Sequence, residues 1–235
     1  MSLLNQLKFY TTHEHTCGYD NDKKATSLFV DPEIKINDII YRELTDTGFR
    51  RSGKHFYRPH CQSCNDCIAT RIPIKHVTLS KQQKRIIKKN NDLTSQQVES
   101  INTDEHYRLF EKYIAMRHSD GDMFPASREQ YNEFLINDQT FTRYTEYRLN
   151  EELVAVNLAD QLVNGLSAIY TFFDADHARR SLGSFAILQL IEQTQALNGT
   201  YLYLGYWIKS CQKMNYKIDY RPMELLINGR WKRLR

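Results

Sequence analysis

The sequence predicts an α+β fold: a mixed sheet flanked by helices, preceded by an N-terminal region organised around cysteines. Three observations carry that expectation. From residue 141 onward, three β-rich runs, a helix, a strand, a short helix and a last strand succeed one another, the order of a sheet with a helical crossover. Three of the five cysteines fall within the seven residues Cys61–Cys67. The segment that follows, Ile68 to Asn91, carries seven Lys/Arg and no Asp or Glu. Two parts are expected, residues 1–100 and 101–235, with no low-complexity linker between them.

The elements follow in order. Asn37–Thr47 reads as a helix, with Ile39, Ile40 and Leu44 at apolar spacing and Gly48 where a left-handed residue would end it. Phe49–Arg58 alternates around Ser52-Gly53, a hairpin signal. Ser80-Lys81-Gln82-Gln83 has the form of a capping box, in which serine and glutamine satisfy each other's free backbone donors, and it opens a basic helix to about Asn90. Thr103–Arg117 carries Tyr107, Phe110, Tyr113 and Ile114 on one side, and Ser127 caps a third helix through Leu135. Phe141–Leu149, Leu153–Asp160 and Leu166–Asp174 are β-rich, with turns at Asn150–Glu152 and Asn164–Gly165. A helix from about Leu182 to Leu197, capped by Ser181, leads to a strand at Tyr201–Ile208, a short helix near Lys209–Tyr216 and a strand near Glu224–Ile227.

Composition sets limits. With 235 residues and 41% hydrophobic content the chain can bury a core, which argues against wholesale disorder. No apolar run reaches the roughly 18 residues of a membrane span, and MSLLNQLKFYTTHEH has too short an apolar stretch for a signal peptide. An odd number of cysteines fits a reducing cytoplasm, where thiols serve metals or chemistry rather than disulfides. The net charge of +4 does not by itself select nucleic acid, but its distribution does more. Besides the basic segment, the C-terminus closes with Arg230, Lys232, Arg233 and Arg235, and phosphate contact is the functional reading of such runs.

Three motifs carry chemistry. Cys61, Cys64 and Cys67 place a thiolate at every third residue, a spacing that can turn around one soft metal. A closed site needs a fourth ligand: Cys17, or else His15 or His60. Zinc or an iron–sulfur cluster in a structural or regulatory role is the group such a set would hold; no cofactor is expected for catalysis. The competing reading is that these thiols pack as small hydrophobes. The second motif, Arg179-Arg180-Ser181-Leu182-Gly183-Ser184, joins a strand to a helix N-terminus, where free N–H groups favour an anion. It resembles the pyrophosphate loop of the GNAT acyltransferases. The third, Tyr201 to Lys209, alternates Tyr201, Tyr203, Gly205 and Trp207 on one face with Leu202, Leu204, Tyr206 and Ile208 on the other.

Taken together, Cys17-Gly18-Tyr19, Phe49-Arg50-Arg51-Ser52-Gly53, Tyr57-Arg58-Pro59-His60-Cys61 with Cys64 and Cys67, Arg71-Ile72-Pro73, Ser80 to Arg85, Tyr113 to His118, Tyr170 to Asp174, Arg180 to Gly183 and Tyr203 to Ile208 resemble the arginyl-tRNA–protein transferase family along almost the whole chain. The short length is similar to its bacterial branch, the aspartate/glutamate leucyltransferases. Asp20, where the eukaryotic branch has a second cysteine, departs from both branches. The resemblance implies a GNAT-like C-terminal domain and transfer of leucine from Leu-tRNA to an N-terminal Asp or Glu. Arginyl transfer from Arg-tRNA, a CoA-dependent N-acyltransferase and a non-catalytic RNA-binding module are the alternatives.

On that reading the partners are an aminoacyl-tRNA and proteins with acidic N-termini. An arginine should meet the acceptor carboxylate, its planar fork matching the anion bidentately; Arg50, Arg51, Arg71 and Arg117 are the candidates. Tyr170, Asp174 and Tyr206 are expected at the reacting centre, with Lys209 close by. The tRNA should lie along Lys81, Lys84, Arg85, Lys88 and Lys89, its 3′ end near Arg180 and Gly183.

Overall fold

A computed structural model of the chain describes residues 3–136 and 139–234; Arg235 of the basic C-terminus lies outside them. The N-terminal region holds short strands β1 (Phe9–Thr11), β2 (His15–Cys17), β3 (Asp20–Ala25) and β4 (Ser27–Val30), helix α1 (Asp38–Asp46), and strands β5 (Arg50–Ser52) and β6 (His55–Pro59). The β5–β6 hairpin turns at Gly53, as expected. Asn37 caps α1 by accepting from the amides of Ile39 and Ile40, and Gly48 takes the left-handed conformation beyond it (φ 92°). The sheet order is β1-β4-β6-β5, with β2 and β3 a separate ribbon.

The rest of the chain forms β7 (Ile68–Pro73), α2 (Lys81–Lys89), β8 (Thr94–Val98), α3 (Asp104–Arg117), α4 (Arg128–Leu135), β9 (Thr142–Leu149), β10 (Glu152–Leu162), β11 (Gly165–Phe173), α5 (Leu182–Ala196), β12 (Tyr201–Trp207), α6 (Gln212–Asn215), β13 (Met223–Ile227) and β14 (Arg230–Leu234). Eight strands make one mixed sheet in the order β14-β13-β7-β12-β11-β10-β9-β8. The α+β class with helices on a mixed sheet is therefore the observed one. β7 and β8 come from before residue 100, so the sheet crosses the expected boundary between parts.

Local signals explain the helices. Ser80 and Gln83 form both bonds of the capping box, and Thr103 and Ser127 cap α3 and α4. Ser181 does not act as the expected side-chain cap: it is itself left-handed (φ 56°) and makes no capping bond to α5.

Among the described strands only β11 and β12 run parallel, joined by α5 as the crossover. They pair over three positions, Gly165–Tyr201 to Ser167–Tyr203, and then separate. The register against β7 shifts at Gly205, which has φ 80°. Such a bulge moves the following side chains to the opposite faces. This overturns the simple alternation expected of the strand: Trp207 joins Leu202 and Leu204 against α5, while Tyr206 joins Tyr203 on the face covered by the N-terminal region.

The sheet divides the apolar interior. On one side Ile187, Leu188 and Ile191 of α5 pack on Ile72, Leu202 and Leu204, with Ile86 and Ile87 of α2 at the margin. Phe110, Ile114 and Tyr131 of α3 and α4 pack on Tyr144, Val156, Leu158 and Phe172. Tyr41, Leu44, Phe49 and Phe56 of the N-terminal region pack against Tyr203. No described helix is long and apolar enough to cross a membrane.

Candidate active site

The four arginines expected at a carboxylate pocket have four different surroundings. Arg51 is fully buried and already holds Asp160 through two bonds, Nε to Oδ2 at 2.6 Å and Nη2 to Oδ1 at 2.7 Å. Arg71 donates to Glu224 at 2.8 Å and Asp46 at 3.2 Å. Its guanidinium lies between the rings of Tyr201 and Trp231, 3.6 and 4.2 Å from their centroids. Arg117 is exposed in the last turn of α3. Arg50 alone is buried (5% exposed) without a carboxylate.

Arg50 donates to main-chain carbonyls only: Phe49 at 2.7 Å, Thr45 at 3.3 Å and Thr70 at 3.4 Å. Its Nε–H has no acceptor. Its guanidinium carbon sits 5.5 Å from the Tyr203 ring and 5.7 Å from the Tyr206 ring, so π-faces replace a counter-ion. Burial lowers its pKa, with the surrounding tyrosines opposing the shift.

A second cation shares this interior, and the sequence did not single it out. Lys217 lies in the single-turn 3₁₀ helix Tyr216–Asp219, is 4% exposed, and has its ammonium 3.0 Å from the sulfur of Met214 and 5.0 Å from the Tyr216 ring centroid. Among the described residues no carboxylate comes within 4.0 Å of it. Burial depresses its pKa to about 8; Cys211 raises it and Arg50 lowers it, so the two cations are within electrostatic reach of each other. In SCQKMNYKIDY a lysine reads as solvated; only the packing of its turn onto β12 shows otherwise.

The remaining candidates separate. Tyr206 joins Arg50, but its hydroxyl donates to Gly48 O at 2.7 Å, and burial holds its pKa far above the usual phenol range. Tyr170 sits in an aromatic cluster with Phe134 and Tyr113 at the far end of β11, its pKa likewise raised by burial. Asp174, next along, is buried and engaged by Lys112 at 2.8 Å. Burial is the largest influence and opposes its ionisation, but the Lys112 bond, the Asp176 amide and the charges of Lys112 and His177 together keep the carboxyl below its ordinary range. Lys209 is exposed beyond β12.

Lys81, Lys84, Arg85, Lys88 and Lys89 are all exposed on α2, and none is ion-paired within the described chain. The helix end docks on the anion-loop motif: Lys89 donates to Arg179 O at 2.8 Å and Asn90 to Arg180 O at 2.9 Å. Arg180 grips Asp92 through two bonds of 2.8 Å. Gly183 lies against strand β11, where an added Cβ would stand 3.1 Å from the Phe173 ring. Its lack of a side chain thus serves close helix–strand packing.

Cys17, Cys61 and Cys64 all act on the Cys67 thiol, which burial and these neighbours push up to about 12. The four therefore converge, as half-buried free thiols. Among the described residues no three of them bring their sulfurs within 4.8 Å of one another; the one group of three possible metal donors that close is Glu152, Asp174 and His177, through carboxylate oxygens and a ring nitrogen. Lys112 already occupies Asp174 in that group. Asp20 pairs with Lys23 at 3.2 Å. In this arrangement the thiols do not form the closed donor set that zinc or a cluster requires.

The fold and site thus describe an α+β protein with an uncompensated cationic interior beside a basic helix. The chain belongs to the arginine-tRNA-protein transferase family: the family's N-terminus model matches residues 15–85 and its C-terminus model residues 105–227. Among curated proteins it is similar to the "Aspartate/glutamate leucyltransferase" of Pseudomonas fluorescens, 52% identical over 231 residues and 98% of both chains. It is likewise similar to those of Stutzerimonas stutzeri, 53% identical over 98% of both, and Saccharophagus degradans, 50% identical over 98% of both.

Proposed function

We propose that this chain is an aminoacyltransferase that moves leucine from Leu-tRNA to proteins beginning with Asp or Glu. The observation that carries this reading is full-length identity above 50% to proteins bearing the leucyltransferase name. The exposed, unpaired cations of α2 support a tRNA partner, and the five free thiols fit a reducing cytoplasm.

The acceptor's α-amine attacks the ester carbonyl carbon of the aminoacyl-tRNA. A C–N bond forms, the C–O bond to the terminal ribose breaks, and the ribose hydroxyl leaves with a proton. The ester is already activated, so holding amine and ester together supplies much of the catalysis and no covalent enzyme intermediate is needed. The attacking amine must also lose a proton. A base or water beside the bound acceptor takes it; Asp174, held by Lys112 away from Arg50, is not placed to do so.

The test is incubation with Leu-tRNA or Arg-tRNA and peptides beginning Glu, Asp, Arg or Lys, followed by mass measurement. The expected result is addition of one leucyl residue to the acidic peptides only. Arginyl addition, or no addition to any peptide, would overturn the reading.

A further inference from the structure

We propose that Lys217 and Arg50 form the subsite for the side-chain carboxylate of the acceptor's first residue, with Tyr216 and Met214 as its removable cover. The inference rests on the acceptor reading above and names the residues that decide its specificity.

A protein interior rarely holds a cation without an anion or a full set of hydrogen bonds, because desolvation then goes uncompensated. Here two cations lie against the same strand, Arg50 over the Tyr203 and Tyr206 rings of β12 and Lys217 in the turn packed on β12; they are 5% and 4% exposed, and neither has a carboxylate partner. Arg71 and Arg51, by contrast, each have one. The strongest partner of Lys217 is a thioether sulfur, a weak acceptor, and Arg50 retains an unanswered Nε–H. A single carboxylate reaching both would remove the penalty at each.

The cover is thin. Tyr216 is 40% exposed, and Met214 belongs to the four-residue helix α6, too short to be stable without packing. Gly205 bends β12 between Tyr203 and Tyr206, and an added Cβ there would meet nothing within 4 Å. The charge balance also suits the reaction. Two cations and one carboxylate leave one positive charge beside the acceptor, which favours the neutral, nucleophilic form of its α-amine.

The experiment compares kcat/KM for peptides beginning Glu and Gln, with Leu-tRNA as donor, in the parent enzyme and in Lys217→Met, alongside Tm and the KM for Leu-tRNA. The parent should favour Glu at least tenfold. Lys217→Met should lose most of that ratio while its Tm rises, because an unpaired interior charge has been replaced by an apolar chain of similar length. Arg50→Gln, which gives up carbonyl contacts, should lose the ratio with a lower Tm. A parent that transfers leucine to neither peptide overturns the acceptor reading, and this inference with it. A parent that discriminates while Lys217→Met discriminates equally, or loses affinity for Leu-tRNA instead, overturns the inference alone. A fall in Tm for Lys217→Met also overturns it, since Lys217 would then be a structural cation.

Discussion

Arg51 and Asp160 form a two-bonded fork with both side chains fully out of solvent, and Tyr41 adds its hydroxyl to the same carboxylate at 2.5 Å. The fork ties β5 of the N-terminal sheet to β10 of the large sheet. It leaves Arg51 nothing to offer a substrate, which separates it from Arg50, its neighbour in sequence.

The first prediction follows from that fork. Asp160→Asn keeps the shape but strands a buried guanidinium, so it should cost about 3–5 kcal/mol of stability. Urea unfolding of the variant beside the parent measures it. A cost under 1 kcal/mol would mean that the pair does not hold the two sheets together.

Lys217 should behave in the opposite sense. Its folded-state pKa, near 8, lies below the ordinary lysine value, so its charged form is the destabilising one. Below pH 8 both folded and unfolded chains carry the proton and the full penalty applies, about 3 kcal/mol. Between pH 8 and roughly 10 the unfolded chain binds more protons than the native one, so this group's contribution to stability improves as pH rises. Lys217→Met should therefore stabilise the protein most at pH 7 and progressively less toward pH 10. Denaturant melts of both proteins across that range test the slope; a gain independent of pH would contradict it.

Binding of tRNA should weaken steeply with salt, since the exposed cations of α2 displace condensed counterions. Changing Lys84, Arg85 and Lys88 together to Gln should flatten the log-affinity against log-salt slope by up to about two units. Filter binding at several salt concentrations reads it, and an unchanged slope would move the RNA to another face.

Because the thiols of Cys17, Cys61, Cys64 and Cys67 do not form a closed donor set, chelation under reducing conditions should leave Tm and leucyl transfer unaltered. Elemental analysis alongside the melt provides the check. Stoichiometric metal whose removal lowers Tm would require the thiols to draw together around it.

What could be read from the sequence was what neighbouring residues decide among themselves. Asn37, Ser80 with Gln83, Thr103 and Ser127 mark helix starts that are observed, because capping is a contact between residues two or three apart. The basic, exposed face of α2 was legible for the same reason: it depends only on helical spacing. Strand pairing is not local. β7 cannot be read from IATRIP, which shows no clean alternation and ends in proline, and it becomes a strand by insertion between β12 and β13. The bulge at Gly205 reversed the faces of Tyr206 and Trp207, since its register is set against β7. The sequence could nominate four arginines for a carboxylate, but their roles depend on burial and on which acids the fold brings to them. Asp160 reaches Arg51 across 109 residues and Glu224 reaches Arg71 across 153. Tertiary structure alone left Arg50 and Lys217 without an anion, because a charge is compensated by what surrounds it in space.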